Sequence, residues 1–138
     1  MTKKHRFKFD KLIRDKLPDI LREIDVTVHM RIMEQEEYLK RLKDKLFEET
    51  REVIDACNNT NKNNIKEELA DVLEVIHALG NIYDLSIDQI EEQRIAKKQT
   101  RGGFEDRIYI DYIEMTSNTP NFSYFRGKPE DYPEEELD

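Results

Sequence analysis

Apolar residues recur at helical spacing through the middle of the chain. One stripe advances by three, four or seven positions: Leu39, Leu42, Leu46, Val53 and Cys57. A second stripe alternates steps of four and three: Ile65, Leu69, Val72, Ile76, Leu79 and Tyr83. Such stripes are typical of amphipathic helices. The polar run between them, residues 58–64, favours turns. The pattern therefore predicts two long helices that pack as an antiparallel hairpin.

Shorter elements are predicted on either side of this hairpin. Pro18 suits the first turn of a short helix, and Ser86 suits the N-cap of a third helix that ends near Thr100. Two segments have strand character: residues 26–32 alternate apolar and polar side chains, and residues 107–114 combine β-branched and aromatic ones. The predicted fold is mainly α, a helical bundle around the hairpin, with a short two-stranded β element if these segments pair.

Composition narrows the class of protein. Of 138 residues, 37% are hydrophobic, and 23 Lys and Arg stand against 31 Asp and Glu, which gives a formal charge of −8. Four Gly and four Pro are too few turn residues for a many-stranded β fold. Sequence-independent DNA binding needs clustered Lys and Arg, so no nucleic-acid partner is expected.

Two further features concern location and domain limits. No apolar stretch approaches the roughly 18 residues of a membrane span, and the N-terminal segment lacks the apolar core of a secretory signal. We therefore expect no membrane partner and a cytoplasmic protein. Periodicity is lost from Met115 onward and the last residues are acidic. This predicts one domain over residues 1–114 and an acidic extension over residues 115–138, poorly ordered unless it docks.

Each predicted long helix carries two acidic residues three positions apart. These are Glu49 and Glu52 on the first helix, and Glu68 and Asp71 on the second. At about 100° per residue, the members of each pair lie roughly 60° and 120° from the centre of the apolar stripe, in the same rotational sense. Both pairs also lie at similar distances from the middle of the loop. An antiparallel hairpin would therefore bring all four carboxylates to one side of the seam.

Four converging carboxylates repel one another unless positive charge lies among them. Oxygen ligands on rigid helices suit Mg²⁺, or Mn²⁺, which the four residues are predicted to bind. Either acidic motif alone is common in a chain with 31 acids and is compatible with a solvated charged face. Their matched phase and height favour the metal site.

Cations gather at the end of the third predicted helix. Lys97 and Arg101 share a helix face, Gly102 follows them, and Arg107 lies just beyond. We predict that this group, in which Lys98 could replace Lys97, binds phosphates. The alternative is that the cations only complement the helix dipole before a glycine stop.

Other chemistries have weaker support. The three histidines lack metal-ligand spacing, and no dinucleotide-binding, P-loop or GxSxG motif is present. Cys57 continues a helical stripe, which predicts a core residue instead of a nucleophile.

With these motifs the sequence resembles the MazG-like, all-α nucleoside triphosphate pyrophosphohydrolase superfamily, which includes phosphoribosyl-ATP pyrophosphohydrolase and dimeric dUTPases. The resemblance covers most of residues 9–113. It rests on four stretches: KLIRDKLP at 11–18, EExxE at 48–52, ExxD at 68–71 and RGGFEDRI at 101–108. It implies Mg²⁺ ligation by the four acids and a cationic role for Lys97, Arg101 and Arg107. It also implies hydrolysis of a nucleoside triphosphate to the monophosphate and pyrophosphate in an oligomer.

The expected function is therefore a Mg²⁺-dependent nucleoside triphosphate pyrophosphohydrolase that clears nucleotides from the pool, as a homodimer or a dimer of dimers. Glu48, four residues before Glu52, is a candidate general base. Phosphoribosyl-ATP pyrophosphohydrolase is an alternative within the same chemistry. An alternative from another class is a non-catalytic helical dimerisation or nucleotide-sensing module.

Overall fold

The computed structural model describes residues 2–137, and helices are the regular secondary structure of this part of the chain. Five of them occur in it: α1 (Leu17–Glu23), α2 (Gln35–Asn59), α3 (Lys62–Ile82), α4 (Ile87–Arg101) and α5 (Phe122–Arg126). None of these helices combines the length and the apolar character that crossing a membrane requires. The predicted mainly α fold with a central helical hairpin is confirmed.

The chain forms two compact units. The first extends to Gln99 and the second begins at Thr100. The first unit holds α1, α2, α3 and most of α4, and the second holds the end of α4 together with α5. The predicted domain limit between residues 114 and 115 stays a prediction.

The connection between α2 and α3 is shorter than the predicted loop. Residues 58 and 59 continue α2, and Thr60 ends that helix in the left-handed conformation at φ 54°. The side chain of Asn61 then accepts hydrogen bonds from the backbone N–H groups of Asn63 and Asn64, at 3.0 and 3.3 Å. Polar residues that favour turns also favour helix caps, and here they cap a tight hairpin.

Within the first unit, α2 and α3 are the helices that pack extensively against each other. On α2 the buried positions follow one another at intervals of seven: Leu42, Glu49 and Ala56. On α3, Val75 is 7% exposed, whereas Leu69 and Tyr83 of the predicted stripe are about half exposed. The face of α3 that meets α2 is therefore rotated from the predicted stripe toward the acidic residues. Cys57, predicted to lie in the core, is exposed.

A glycine in the last turn of α3 lets the chain that follows the helix approach closely. A Cβ atom on Gly80 would lie 2.8 Å from the carbonyl oxygen of Leu85, so a larger residue would displace the turn that follows. Beyond that turn, the side chains of Ser86 and Gln89 each accept a hydrogen bond from the other's backbone N–H. This reciprocal cap starts α4 at the predicted residue.

The predicted two-stranded β element does not form within the described residues. Residues 26–32 and 107–114 both run without regular secondary structure. Strand propensity is expressed only when a partner strand satisfies the backbone groups, and neither segment has one in the described chain.

The second unit contains a short ordered element that the sequence did not indicate. The rings of Tyr124 and Phe125, on α5, both pack near the ring of Tyr132, with centroids 6.2 and 5.0 Å away. Arg126 lies 5.3 Å from the centroid of Phe122 and forms an ion pair with Glu134. Aromatic contacts, instead of helical periodicity, organise this segment.

Candidate metal centre

The four predicted metal-ligating residues meet inside the seam of the hairpin. One carboxylate oxygen from each of Glu49, Glu52, Glu68 and Asp71 lies within 4.8 Å of the others. Both acidic pairs lie at a similar distance from the turn that joins the two helices. The antiparallel pairing therefore brings the two pairs to the same height along the hairpin. The structure places Glu49 deeper than the predicted shoulder, at 6% exposure, whereas the other three acids are partly exposed.

Two carboxylate oxygens in this cluster are buried without a hydrogen-bond partner. They are Oε2 of Glu49 and Oε2 of Glu68. Burial, together with the neighbouring Glu52, raises the pKa of Glu49 above its ordinary value. Burial and Glu68 likewise raise the pKa of Glu52. Unpaired buried carboxylates are costly in free energy, so positive charge among these oxygens would stabilise the cluster.

The donor set fits a hard divalent cation. Oxygen ligands bind Mg²⁺ at roughly 2.0–2.1 Å and Ca²⁺ at roughly 2.3–2.6 Å, so ligands on opposite sides of an ion are about 4–5 Å apart. The four oxygens lie within 4.8 Å of one another, which falls in the Ca²⁺ span and slightly exceeds the roughly 4.2 Å of Mg²⁺, so a small inward movement of the side chains would bring them to Mg²⁺. Glu49, Glu52, Glu68 and Asp71 are therefore the residues that could hold a metal ion.

Three cations line the edge of this cluster. Lys45, on α2, pairs with Glu48 and Glu49 at 3.3 and 3.4 Å. From the N-terminal segment, Lys11 lies 3.1 Å from Glu48. Arg14, from the same segment, donates a hydrogen bond of 2.6 Å to Oδ1 of Asp71.

Of these cations, Lys45 could have been predicted from helical spacing, since it lies three and four residues before its partners. Lys11 and Arg14 are 37 and 57 residues from theirs. The stretch that contains them, KLIRDKLP, is a motif of the resemblance to the MazG-like superfamily, and the resemblance implied no role for it.

The predicted general base has a different environment from the four ligands. Burial alone would raise the pKa of Glu48, but its contacts with Lys11 and Lys45 outweigh burial and lower the pKa. A lower pKa makes a carboxylate a weaker proton acceptor. Its assignment as base stays a prediction.

The predicted phosphate-binding cations are distributed over the two units. Lys97 and Lys98 lie in the last turns of α4, in the first unit. Arg101 and Arg107 lie in the second unit, where they line one hollow of about 350 Å³ together with Glu105 and Asp106. The structure thus brings two of the four cations to a common hollow, and their binding of phosphate stays a prediction.

The crowded carboxylates predict how stability depends on charge in the metal-free protein. A raised pKa means that the folded state binds protons more tightly than the unfolded state, so this contribution to stability falls as pH rises through the raised pKa. We therefore expect Glu49→Gln to raise the Tm of the metal-free protein at pH 7 by a few degrees, the scale of about 1 kcal/mol. The gain should vanish below the ordinary carboxyl pKa, where Glu49 is protonated in both states. Thermal melts in a chelator at several pH values measure this.

The neighbouring Glu48 supplies a control of opposite sign. Its lowered pKa gives stability that is present above the ordinary carboxyl pKa and is lost as pH falls through the folded value. Glu48→Gln should therefore lower the Tm at pH 7. Equal Tm changes in the two variants would show that Glu49 is not subject to carboxylate repulsion.

Comparison with known proteins bears on the same region. The MazG nucleotide pyrophosphohydrolase domain family matches residues 36–103, a span that includes all but the first residue of α2, the whole of α3 and α4, and all four acidic residues of the cluster. No curated protein and no solved structure matches the chain significantly. The family match and the all-helical hairpin agree with the resemblance seen in the sequence motifs. We conclude that residues 36–103 of this chain match the MazG nucleotide pyrophosphohydrolase domain family, which is consistent with the MazG-like, all-α superfamily.

Proposed function

We propose that the chain is a Mg²⁺-dependent nucleoside triphosphate pyrophosphohydrolase, which releases pyrophosphate and a nucleoside monophosphate. The observation that carries the proposal is the cluster of four carboxylates at the hairpin seam, with Oε2 of Glu49 buried and unpartnered within it. A solvated acidic face would turn these oxygens toward water. Here they face one another, which favours a bound cation.

In this proposal the residues of the seam have separate roles. Glu49, Glu52, Glu68 and Asp71 hold the metal, which supplies charge stabilisation at the phosphates and lowers the pKa of water. Glu48 is the candidate proton acceptor, and it can act only when its contacts with the lysines loosen. Nucleotide-pool clearing is the role proposed for the reaction.

A nucleotide panel with and without Mg²⁺ tests the proposal. We expect pyrophosphate release from at least one nucleoside triphosphate, and loss of that release when a chelator removes the metal. Phosphoribosyl-ATP belongs in the panel because it shares the scissile bond. Tight nucleotide binding without turnover would identify a nucleotide sensor. The absence of both binding and turnover would favour a helical dimerisation module.

We also propose that the chain assembles as a homodimer or a dimer of dimers. The buried hydrophobic residues of the described chain are few: Leu42, Ala56 and Val75. Large apolar side chains on both long helices are about half exposed or more: Phe47, Ile54, Leu69 and Leu73. Phe47 and Ile54 are seven residues apart and Leu69 and Leu73 are four, so each pair shares one face of its helix. An exposed apolar helix face is usually covered by association, most often with closed symmetry.

Sedimentation of the full chain at micromolar concentration tests the assembly. We expect at least a dimer, and we expect Leu73→Glu to shift it toward the monomer because a charge in an apolar interface is costly. Glu74→Lys, at the next position of the same helix, is the control for charge reversal on an exposed site. A monomeric parent would contradict the proposal.

A further inference from the structure

Two cations reach the metal centre from outside the region that the family matches. Lys11 and Arg14 precede α1, whereas the MazG match begins at residue 36. Each contacts a carboxylate of a different hairpin helix, Lys11 at Glu48 on α2 and Arg14 at Asp71 on α3. The N-terminal segment therefore bridges the two sides of the seam.

Both cations keep donor groups that face solvent. Their side chains are 55% and 61% exposed, compared with 22% for Lys45, which is held between Glu48 and Glu49. A lysine carries three N–H donors and an arginine five. Lys11 and Arg14 each donate one hydrogen bond to these carboxylates, so further donors at the edge of the seam can meet an anion.

The charge balance at the seam creates a need for such donors. The carboxylates there outnumber the three cations by two: Glu48, Glu49, Glu52, Glu68 and Asp71 against Lys11, Arg14 and Lys45. One divalent ion would neutralise this difference of two charges. No excess positive charge would then remain at the seam to attract an incoming polyphosphate. Drawing the charge of Asp71 toward a metal would also weaken its attraction for Arg14 and leave the guanidinium available.

A cleft next to the seam gives the anion a place. It has a volume of about 480 Å³, and its lining consists of Phe47, two cations and four acids: Lys11, Arg51, Asp44, Glu48, Glu52 and Asp55. Because the acids outnumber the cations, we expect an anion to enter the cleft together with a metal ion. That volume lies within the range of small-molecule sites. The cleft opens beside Glu52, one of the four candidate metal ligands, and Lys11 forms part of its wall.

We propose that Lys11 and Arg14 bind the phosphates of the substrate at the edge of the metal centre, exchanging their carboxylate partners for the polyphosphate when metal and nucleotide enter. This inference rests on the proposed function, because it assigns a substrate-binding role at the same site. It gives the KLIRDKLP stretch a role, since the last two residues of the stretch begin α1, at Leu17, and Pro18 anchors that helix as a buried residue. The N-terminal segment is then a phosphate clamp on the hairpin.

The test compares two double variants of the full chain that remove the same charge. In K11Q/R14Q both clamp cations are lost. In K8Q/R22Q two cations of the same region are lost whose partners, Asp10 and Asp19, lie outside the seam. Inorganic tripolyphosphate with Mg²⁺ serves as the binding probe in calorimetry, and Mn²⁺ alone serves as the probe of the metal centre.

We expect K11Q/R14Q to weaken tripolyphosphate binding at least thirtyfold while Mn²⁺ affinity stays within threefold of the parent or tightens. K8Q/R22Q should leave both affinities within threefold. The kcat/KM for pyrophosphate release should fall about a hundredfold in K11Q/R14Q, and K11R/R14K, which keeps both charges, should recover most of it. Each single variant should show part of the loss, which keeps the test valid if the double variant folds poorly.

Two results would overturn the clamp. The first is unchanged tripolyphosphate affinity with a lowered Tm, which would show that the two ion pairs only fasten the N-terminal segment. The second is an equal loss of Mn²⁺ and tripolyphosphate affinity, which would show that Arg14 acts by orienting Asp71. An inactive parent that still binds tripolyphosphate through Lys11 and Arg14 would refute the proposed function and leave the clamp standing. An active parent with an unaffected K11Q/R14Q variant would support the proposed function and refute the clamp.

Discussion

Glu49→Gln is expected to lower Mg²⁺-dependent pyrophosphate release by about a thousandfold or more while the helical content stays unchanged. Glu49 is the most buried of the four acids and has an unpartnered oxygen at the seam. An amide of the same shape cannot supply the negative charge that holds a divalent cation. Transition-state stabilisation by a metal is worth several kcal/mol, and about 4 kcal/mol corresponds to a thousandfold in rate. Steady-state kinetics and circular dichroism of the same samples measure both quantities.

Glu67→Gln is the matched control for this change. Glu67 is exposed and adjacent to Glu68, but it lies outside the four-residue cluster. It should keep turnover within about twofold, because exposed substitutions away from a site have small effects. Full turnover by both Glu49→Gln and Asp71→Asn would show that these residues are not ligands of a catalytic metal ion.

The double change of Lys97 and Arg101 to Gln is expected to reduce kcat/KM by about two orders of magnitude. Charge-assisted hydrogen bonds to phosphate contribute roughly 1.5–3 kcal/mol each, so the loss of two such contacts accounts for the drop. If the two residues only complement the dipole of α4, the double change should cost at most about 1 kcal/mol of stability and leave catalysis nearly unchanged. Kinetics and thermal melts of one preparation separate these roles.

Arg94→Gln provides the comparison within the same helix. Arg94 forms an ion pair with Glu91 on the exposed surface of α4. Its removal therefore changes the charge of the helix but leaves the predicted phosphate-binding cations in place. It should leave kcat/KM close to that of the parent. A tenfold or smaller drop in the Lys97 and Arg101 variant, with a clear fall in Tm, would assign these cations to helix capping.

The helical hairpin was predictable because its signal is periodic. Apolar steps of three and four positions establish the existence of α2 and α3 and their pairing. The rotation of α3 about its axis could not be predicted, because Val75 and Ile76 are both apolar and the period alone does not show which of the two adjacent faces meets α2. The tight connection at Thr60 was missed for a related reason: asparagine and threonine favour loops and helix caps alike. Strand propensity in residues 26–32 and 107–114 indicated elements that lack a partner within the described chain.

The acidic part of the candidate site followed from the same periodicity, since Glu49 and Glu68 occupy equivalent positions on paired helices. The burial of Glu49 could not be predicted, because helical periodicity shows the face on which a residue lies and not how exposed its side chain is. The N-terminal cations had no local signal. Lys11 and Arg14 reach carboxylates distant in sequence, and contacts of that kind depend on how a non-periodic segment lies over the hairpin.

Titration of the parent protein with Mn²⁺, in the absence of nucleotide, tests the metal centre most directly. We predict saturable binding that weakens at least a hundredfold in Glu49→Gln and in Glu68→Gln, and that remains unchanged in the exposed control Glu67→Gln. Removing a ligand from a four-carboxylate set lowers affinity by more than the tenfold to hundredfold typical of changes in the surrounding hydrogen bonds. Equal Mn²⁺ affinity in all four proteins would contradict the assignment of a metal site to the hairpin seam.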